Sequence, residues 1–145
     1  MKVFLDTNVL ASALATRGLC ADVLREVFSS HDLLTCDEVL EELRGVLRDT
    51  FGVPEELIRE VLGLLLRETK NITTRKSVRI HLKDETDIPI LSAALAGEAE
   101  IFVTGDKEVQ SLGRIEDMAI ISPREFWEML RAQPNASVEE DKPRR

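Results

Sequence analysis

The sequence predicts an α/β protein, with a three-layer α/β/α architecture around a mostly parallel central sheet. Short apolar runs rich in β-branched residues recur along the chain, and each is followed by a stretch with helical spacing. Strands that are joined by helices pair in parallel through right-handed crossovers, which places helices on both faces of the sheet. The length of 145 residues suits one domain with a single core.

The predicted strands and helices alternate along most of the chain. Strands are predicted at residues 3–5, 33–35, 100–103 and 118–121, and helices at residues 8–15, 20–29, 37–49, 54–69, 88–97 and 123–131. Pro54 is a favourable start for the fourth helix, because the N–H that proline lacks would have no partner there. The two glutamates that follow suit the positive end of the helix dipole, so the third and fourth helices are predicted to form a hairpin.

The sequence predicts one domain over residues 1–131 and a disordered tail over residues 132–145, which has almost no apolar content. No apolar run is long enough to cross a membrane. Asp6 interrupts the first apolar run too early for a signal peptide, so a cytoplasmic location is expected. Cys20 and Cys36 form no CxxC pair and are expected to be reduced and largely buried.

The chain is acidic, with a net charge of -8. An acidic protein repels phosphate at long range, which argues against general nucleic-acid binding unless basic residues cluster locally. Residues 77–83 alternate apolar and basic side chains, so a strand there would show a basic face. An edge strand protected by charge against aggregation would have the same pattern. The predicted substrate-binding residues are Arg75, Lys76, Arg79, Lys83 and Lys107.

Two aspartates directly follow predicted strands. Asp6 ends the first strand, and Asp106 follows the third strand within the turn Thr104-Gly105-Asp106. Ligands of a parallel sheet bind at the carboxyl ends of the strands, so acids at these positions are candidate functional residues. Taken singly, each aspartate is better explained as an ordinary helix cap.

Two further acids lie on predicted helices. At about 100° per residue from Val39, Glu42 falls at about 300°, at the edge of the apolar stripe, whereas Glu41 falls at about 200° and faces water. Asp87 begins its helix in the middle of the buried stripe, where it can cap the helix and still bind a metal. Helical phase alone is equally consistent with Glu42 as an amphipathic boundary residue.

Four acids that converge on one edge of a small sheet would destabilise the fold unless a cation lay between them. Ligand sets made only of oxygen favour Mg²⁺ or Mn²⁺ over zinc, which prefers Cys and His. His31 and His81 lie outside these motifs and are predicted to be surface residues. A bound metal can activate water and stabilise oxyanions at phosphorus, so phosphodiester hydrolysis is the predicted chemistry.

Four motifs in this order resemble the PIN-domain family, most of all its prokaryotic branch of VapC-like toxins from toxin-antitoxin pairs. The motifs are Val3-Phe4-Leu5-Asp6-Thr7-Asn8-Val9-Leu10, Glu38-Val39-Leu40-Glu41-Glu42-Leu43, Asp84-Glu85-Thr86-Asp87 and Val103-Thr104-Gly105-Asp106-Lys107-Glu108. Any one of them is weak, whereas the ordered set is specific. The resemblance covers roughly residues 1 to 130 as a single domain.

The resemblance implies a metal-dependent ribonuclease, often dimeric and often held inactive by an antitoxin. RNA, an antitoxin and a second copy of the chain are therefore the predicted partners. The implied catalytic acids are Asp6, Glu42, Asp87 and Asp106, and Asn8 and Thr104 are implied to support them by hydrogen bonding. Many relatives have a second aspartate where this chain has Glu108. The predicted metal ligands are Asp6, Asp87, Asp106 and Glu108.

Two alternatives stay open on the sequence. Haloacid-dehalogenase-type phosphatases also end their first strand in an aspartate, but they need a second acid two residues later, where this chain has Asn8. Their GDxxxD pattern fails as well, because Gln110 occupies the last position. A non-catalytic PIN-like module for RNA binding or protein docking is the second alternative, and the four intact acids weigh against it.

Overall fold

The computed structural model describes residues 1–76 and 78–132 and contains six strands and seven helices in the described part of the chain. The strands are β1 (Lys2–Leu5), β2 (Asp32–Thr35), β3 (Lys70–Asn71), β4 (Ile101–Val103), β5 (Arg114–Ile115) and β6 (Met118–Ile121). The helices are α1 (Thr7–Ala15), α2 (Leu19–Ser30), α3 (Asp37–Asp49), α4 (Glu55–Glu68), α5 (Asp87–Ala96), α6 (Lys107–Gln110) and α7 (Pro123–Ala132). The predicted three-layer α/β/α class with a mostly parallel sheet is confirmed.

The strands form one sheet in the order β3-β2-β1-β4-β6-β5. All neighbouring pairs are parallel except β5 and β6, which are antiparallel. The chain moves from β1 to β2 and β3 on one side and then returns to place β4 on the other side of β1. Strand order therefore reverses between β1 and β4, and ligands of α/β sheets bind outside the carboxyl ends of strands at such a reversal.

The register of β1 and β4 brings their carboxyl ends together. Val3 pairs with Ile101 and Leu5 with Val103, and the N–H of Asp6 donates to the carbonyl of Val103 at 3.0 Å. Beneath this edge, the rings of Phe4 and Phe102 stack with their centroids 5.3 Å apart. Apart from Lys2, the residues of both strands are buried, which fits their continuous apolar sequence.

The predicted strands correspond to β1, β2, β4 and β6, and the six predicted helices correspond to α1 to α5 and α7, with ends that differ by at most one residue. The sequence missed β3, β5 and α6. Two-residue strands and a four-residue helix are too short to produce a periodic apolar pattern.

The described residues 78–83 form no strand, so the alternation of apolar and basic residues does not produce a basic strand face there. The alternation of the sequence is nevertheless present in their burial. Val78 and Ile80 are half-buried and Leu82 is buried, whereas Arg79 and Lys83 are exposed. The segment therefore packs its apolar side chains inward without pairing to the sheet.

The predicted tail, apart from Ala132 at the end of α7, lies outside the described residues. Cys36 is buried and Cys20 half-buried, and both thiols are free. His81 is exposed, whereas His31 is half-buried and its Nδ1 lies 3.1 Å from the N-terminal amine. Over residues 1–76 and 78–132, no helix combines the length and apolar character that a membrane span requires.

Candidate functional site

A cavity of about 670 Å³ lies at the carboxyl edge of the sheet, where β1 and β4 end. Three parts of the chain form its walls: the turns after the two strands, the exposed side of α3, and the start of α5 with the loop before it. Its lining residues are Asp6, Thr7, Asn8, Glu42, Gly45, Val46, Asp49, Thr50, Asp84, Thr86, Asp87, Gly105 and Asp106. Six of these thirteen are acids, and none is Lys, Arg or His.

Asp6 lies at the N-cap of α1 and is held by two hydrogen bonds. The N–H of Thr7 donates to Asp6 Oδ1 at 2.9 Å, and the hydroxyl of Thr104 donates to Asp6 Oδ2 at 2.8 Å. Burial raises the pKa of Asp6, the two hydrogen bonds lower it, and the charge of Asp106 raises it further. The net pKa is above the ordinary aspartate value. Asp6 therefore caps α1 and also lines the cavity.

Asp106 caps α6 in a similar way. Its Oδ1 accepts from the N–H of Glu108 at 2.8 Å and from the N–H of Val109 at 3.3 Å. Its own N–H donates to the hydroxyl oxygen of Thr104 at 3.1 Å. Thr104 is 0% exposed, so one buried hydroxyl connects Asp6 with the turn that carries Asp106. The resemblance implied that Thr104 supports the site by hydrogen bonding, and its hydroxyl makes these two hydrogen bonds.

Glu42 reaches the cavity from α3. The hydroxyl of Thr7, a residue only 4% exposed, donates to Glu42 Oε1 at 2.7 Å. Glu41 does not line the cavity. Helical phase therefore selected the glutamate that the structure places beside Asp6, although the role of Glu42 stays a prediction.

Asp87 is the first residue of α5, and its pKa departs more clearly from the ordinary value than that of any other acid in the cavity. Burial raises its pKa, and the negative charges of Asp6, Asp84, Asp106 and Glu42 raise it further, to about 7. Because the cavity lining has no cationic side chain, nothing on the described walls offsets this repulsion. The site is therefore a concentration of negative charge without a positive counterpart.

The donor atoms of this cavity fit a hard divalent cation, because they are carboxylate and hydroxyl oxygens without Cys or His. Among residues 1–76 and 78–132, however, no three His, Cys, Asp or Glu side chains are grouped closely enough to hold a metal ion. Asp6, Asp106 and Glu42 each accept hydrogen bonds from protein groups. The described acids therefore share one cavity without lying close enough together to form a metal site.

Two of the implied site residues are arranged differently from the sequence-based expectation. Glu108 does not line the cavity, and its Oε2 accepts from the N–H of Lys83 at 2.9 Å. It lies in the first turn of α6, on the side that faces the segment before α5, and its role as a metal ligand stays a prediction. Asn8 does line the cavity, but its side chain makes no hydrogen bond within the described part of the protein.

The predicted substrate-binding cations also lie outside the cavity lining. Arg75 forms an ion pair with Glu38, and Lys76 forms one with Glu116 at 2.6 Å. These two side chains are therefore engaged by acids of the protein itself. The other three cations, Arg79, Lys83 and Lys107, are exposed. Lys83 and Lys107 are each next in sequence to an acid that lines the cavity, Asp84 and Asp106 respectively.

Sequence reasoning missed several residues that complete the site. Thr7 was not recognised because a threonine after a strand is common, and its partner Glu42 is distant in sequence. Asp84 was included in a motif but given no role; its Oδ1 accepts from the N–H of Thr86 at 3.0 Å and from the Thr86 hydroxyl. Gln110 donates to the carbonyl of Thr104 at 2.8 Å and so braces the turn. The run of Thr and Asp residues around Asp87 was the one feature of the sequence that could have indicated these additional site residues.

Comparisons with known proteins agree with this architecture. The model of the PIN domain family matches residues 2–108. The fold is similar to a chain of the VapBC2 complex from Rickettsia felis bound to a promoter DNA fragment, with a TM-score of 0.57 and 18% identity over 84% of this chain and 98% of that chain. It is also similar to a chain of FitAcB from Neisseria gonorrhoeae, with a TM-score of 0.51 and 15% identity over the same shares. No curated protein matches the sequence.

Proposed function

The chain belongs to the PIN domain family, and on that premise we propose that it is a divalent-metal-dependent endoribonuclease and the toxin of a toxin-antitoxin pair. PIN domains are generally nucleases. The observation that carries the proposal is the cavity at the ends of β1 and β4, whose lining includes six acids and no basic side chain and where the pKa of Asp87 is raised to about 7. A metal-binding site explains why the fold keeps this unfavourable charge.

Asp6, Asp87 and Asp106 would hold Mg²⁺ or Mn²⁺, and the negative charge of Glu42, the fourth catalytic acid, would add to the attraction of the ion. The bound ion supplies a water of lowered pKa and stabilises negative charge on phosphoryl oxygens. The chain itself fixes the acids: Thr104 orients Asp6, Thr7 orients Glu42, and the first turn of α6 orients Asp106. Above pH 7 Asp87 gives up its proton and becomes available as a ligand.

RNA would reach the acids along the rim rather than through the floor of the cavity. Arg79, Lys83 and Lys107 are exposed and can contact the phosphates on either side of the cut. Arg75 and Lys76 can join them only by exchanging their ion pairs with Glu38 and Glu116 for phosphate contacts. Such exposed pairs are weak, so this exchange costs little free energy.

An antitoxin partner, a homodimer and a cytoplasmic location complete the proposal. The two similar structures are described as VapBC2 bound to promoter DNA and as FitAcB. Their likeness at 18% and 15% identity shows the fold, and the partner follows from the resemblance of the motifs.

One alternative function retains a specific observation in its favour. The acids of the described chain are not grouped into a metal site, which a non-catalytic docking or RNA-binding module would also show. The family match leaves no support for a haloacid-dehalogenase-type phosphatase.

The test compares RNA cleavage by the wild type and by Asp106→Asn, each with Mg²⁺, Mn²⁺ or EDTA. Asparagine keeps the oxygen that caps α6, so this variant loses the charge with little change to the turn. We expect cleavage by the wild type only with metal, and almost none by the variant. Equal cleavage by both proteins, or cleavage in EDTA, would refute the metal mechanism. Absence of metal binding in calorimetry would favour the docking module.

A further inference from the structure

The cavity extends beyond the acids along α3. Glu42, Gly45, Val46 and Asp49 share one face of this helix, at spacings of three, four and seven residues, and all four line the cavity. From Glu42 to Asp49 this wall runs about 10 Å at the helical rise of 1.5 Å per residue. The part beside Gly45 and Val46 lies one helical turn beyond Glu42, the last acid to which the proposed reaction assigns a role. Metal binding therefore does not explain the part of the wall beside Gly45 and Val46.

Gly45 is the unusual residue of the wall. It lies inside α3, where glycine is less stable than alanine because of its backbone freedom. A Cβ at this position would meet no heavy atom within 4 Å, so packing does not require glycine. Gly63 in α4 is similarly open, its added Cβ meeting only the side chain of Arg67 at 3.7 Å, but it lies away from the cavity. The position of Gly45 in the cavity wall is therefore the feature that distinguishes it.

The chemistry of the wall favours a neutral, flat ligand over a charged one. The carboxylates of Glu42 and Asp49 lie at its two ends and repel a phosphate group. Between them, Gly45 exposes helix backbone and Val46 offers an apolar side chain that is half-buried. A planar nucleobase can approach a helix closely where no side chain intervenes, and single-stranded RNA can splay its bases outward.

We propose that the Gly45–Val46 surface of α3 seats the base of a nucleotide next to the scissile phosphate. This inference rests on the proposed ribonuclease function and adds a base subsite to it. The base lies against α3, while the phosphates on either side remain at the rim near Lys83 and Lys107. The absence of a side chain at position 45 leaves the room that the base occupies.

The experiment combines two protein variants with two RNAs. Gly45→Leu fills the proposed seat, and Gly63→Leu is the matched control, since it places the same side chain at an open helical glycine outside the cavity. After the cut has been mapped, cleavage is measured on an intact oligonucleotide and on versions with an abasic nucleotide on either side of the cut. Manganese-induced thermal stabilisation is measured for each protein, because it reports the metal site without RNA.

We expect Gly45→Leu to lower kcat/KM on the intact RNA by about tenfold or more, a typical effect of altered pocket contacts. One abasic substitution should cause a similar loss in the wild type and little further loss in Gly45→Leu. Gly63→Leu should cleave like the wild type, and all three proteins should show the same manganese stabilisation.

The failures of the two proposals are distinguishable. If the wild type cleaves RNA and Gly45→Leu cleaves it equally well, the base subsite is wrong and the nuclease function stands. If the losses from Gly45→Leu and from the abasic RNA multiply, the two changes act at different places and the subsite is again refuted. A loss of manganese stabilisation in Gly45→Leu would assign its defect to the metal acids and overturn the subsite. A wild type that cleaves no RNA with either metal refutes both proposals.

Discussion

The hydroxyl of Thr7 donates a 2.7 Å hydrogen bond to Oε1 of Glu42, a residue 35 positions further along the chain. Thr7 is nearly fully buried, whereas Glu42 is exposed. The fixed partner is therefore the threonine, and the glutamate takes its orientation from it. This contact joins the start of α1 to the middle of α3 and holds Glu42 beside Asp6.

Thr7→Val should weaken metal binding without unfolding the protein. Valine keeps the shape of threonine but removes the hydroxyl, so the carboxylate of Glu42 becomes free to turn into solvent. We expect an approximately tenfold loss of Mn²⁺ affinity in calorimetry and a stability loss of about 1 kcal/mol, the usual net contribution of a hydrogen bond. Thr7→Ser restores the donor and should recover both values. Equal affinity in the wild type and Thr7→Val would show that the hydrogen bond does not position Glu42.

Thr104→Val should destabilise the protein more than Thr7→Val. The Thr104 hydroxyl donates to Asp6 and accepts from the N–H of Asp106, and it is fully buried. Without the hydroxyl, a part-buried N–H and a carboxylate lose their partner, which costs about 1–3 kcal/mol. Urea denaturation measures this loss, with Thr104→Ser as the control that retains the hydroxyl. A change below about 0.5 kcal/mol would mean that water replaces the hydroxyl at no cost.

Asp87 should make the metal-free protein less stable as the pH rises. Its pKa is about 7 in the folded protein and 3.8 ordinarily, so the folded state binds the proton more tightly. The stabilisation from this group is fully present below pH 3.8 and is lost as the pH rises through about 7. Urea denaturation in EDTA at pH 5.5 and pH 8 should show the decrease, and Asp87→Asn should reduce it. An unchanged pH dependence in Asp87→Asn would assign the decrease to other groups.

Stabilisation by metal should have the opposite pH dependence. A ligand that binds only the folded state raises its stability, and protons compete with the metal for Asp87. The rise in Tm caused by Mn²⁺ should therefore be larger at pH 8 than at pH 5.5. A rise that is equal at both pH values would indicate that the metal binds away from Asp87.

Glu108→Gln should leave Mn²⁺ affinity unchanged within about twofold, because its carboxylate faces the N–H of Lys83 rather than the cavity. Asp106→Asn serves as the positive control, since it removes a charge from the cavity itself. Calorimetry with Mn²⁺ measures both. If Glu108→Gln binds metal as poorly as Asp106→Asn, Glu108 must swing into the site when the ion binds.

The sequence was most informative where a pattern extends over many residues. The continuous apolar runs of β1 and β4 and the periodic apolar stripe of α3 are clear in the sequence, and these elements begin and end close to their predicted positions. Helical phase also separated Glu42, which the structure places in the cavity, from Glu41, which it does not. Both results depend only on the pattern of apolar residues within a short stretch of sequence.

Contacts between distant segments could not be deduced in the same way. The pairing of Thr7 with Glu42 depends on how α1 packs against α3, and the direction of Glu108 depends on the path of residues 78–83. The ion pairs of Arg75 and Lys76 likewise join residues that a single sequence does not show to be neighbours. A pattern of charges in the sequence identifies candidate basic residues, but it does not show which acidic residues already form ion pairs with them.

The position of β4 beside β1 has a consequence during synthesis of the chain. Asp6, Glu42 and Asp87 leave the ribosome well before Asp106, and Thr104 can bond to Asp6 only after β4 has paired with β1. Such long-range pairing forms late and cooperatively in folding. Three of the four acids are therefore present in the nascent chain while Asp106, the fourth, is still missing from the site. Under the proposed function, the nuclease would therefore stay inactive towards nearby RNA until its domain has nearly finished folding.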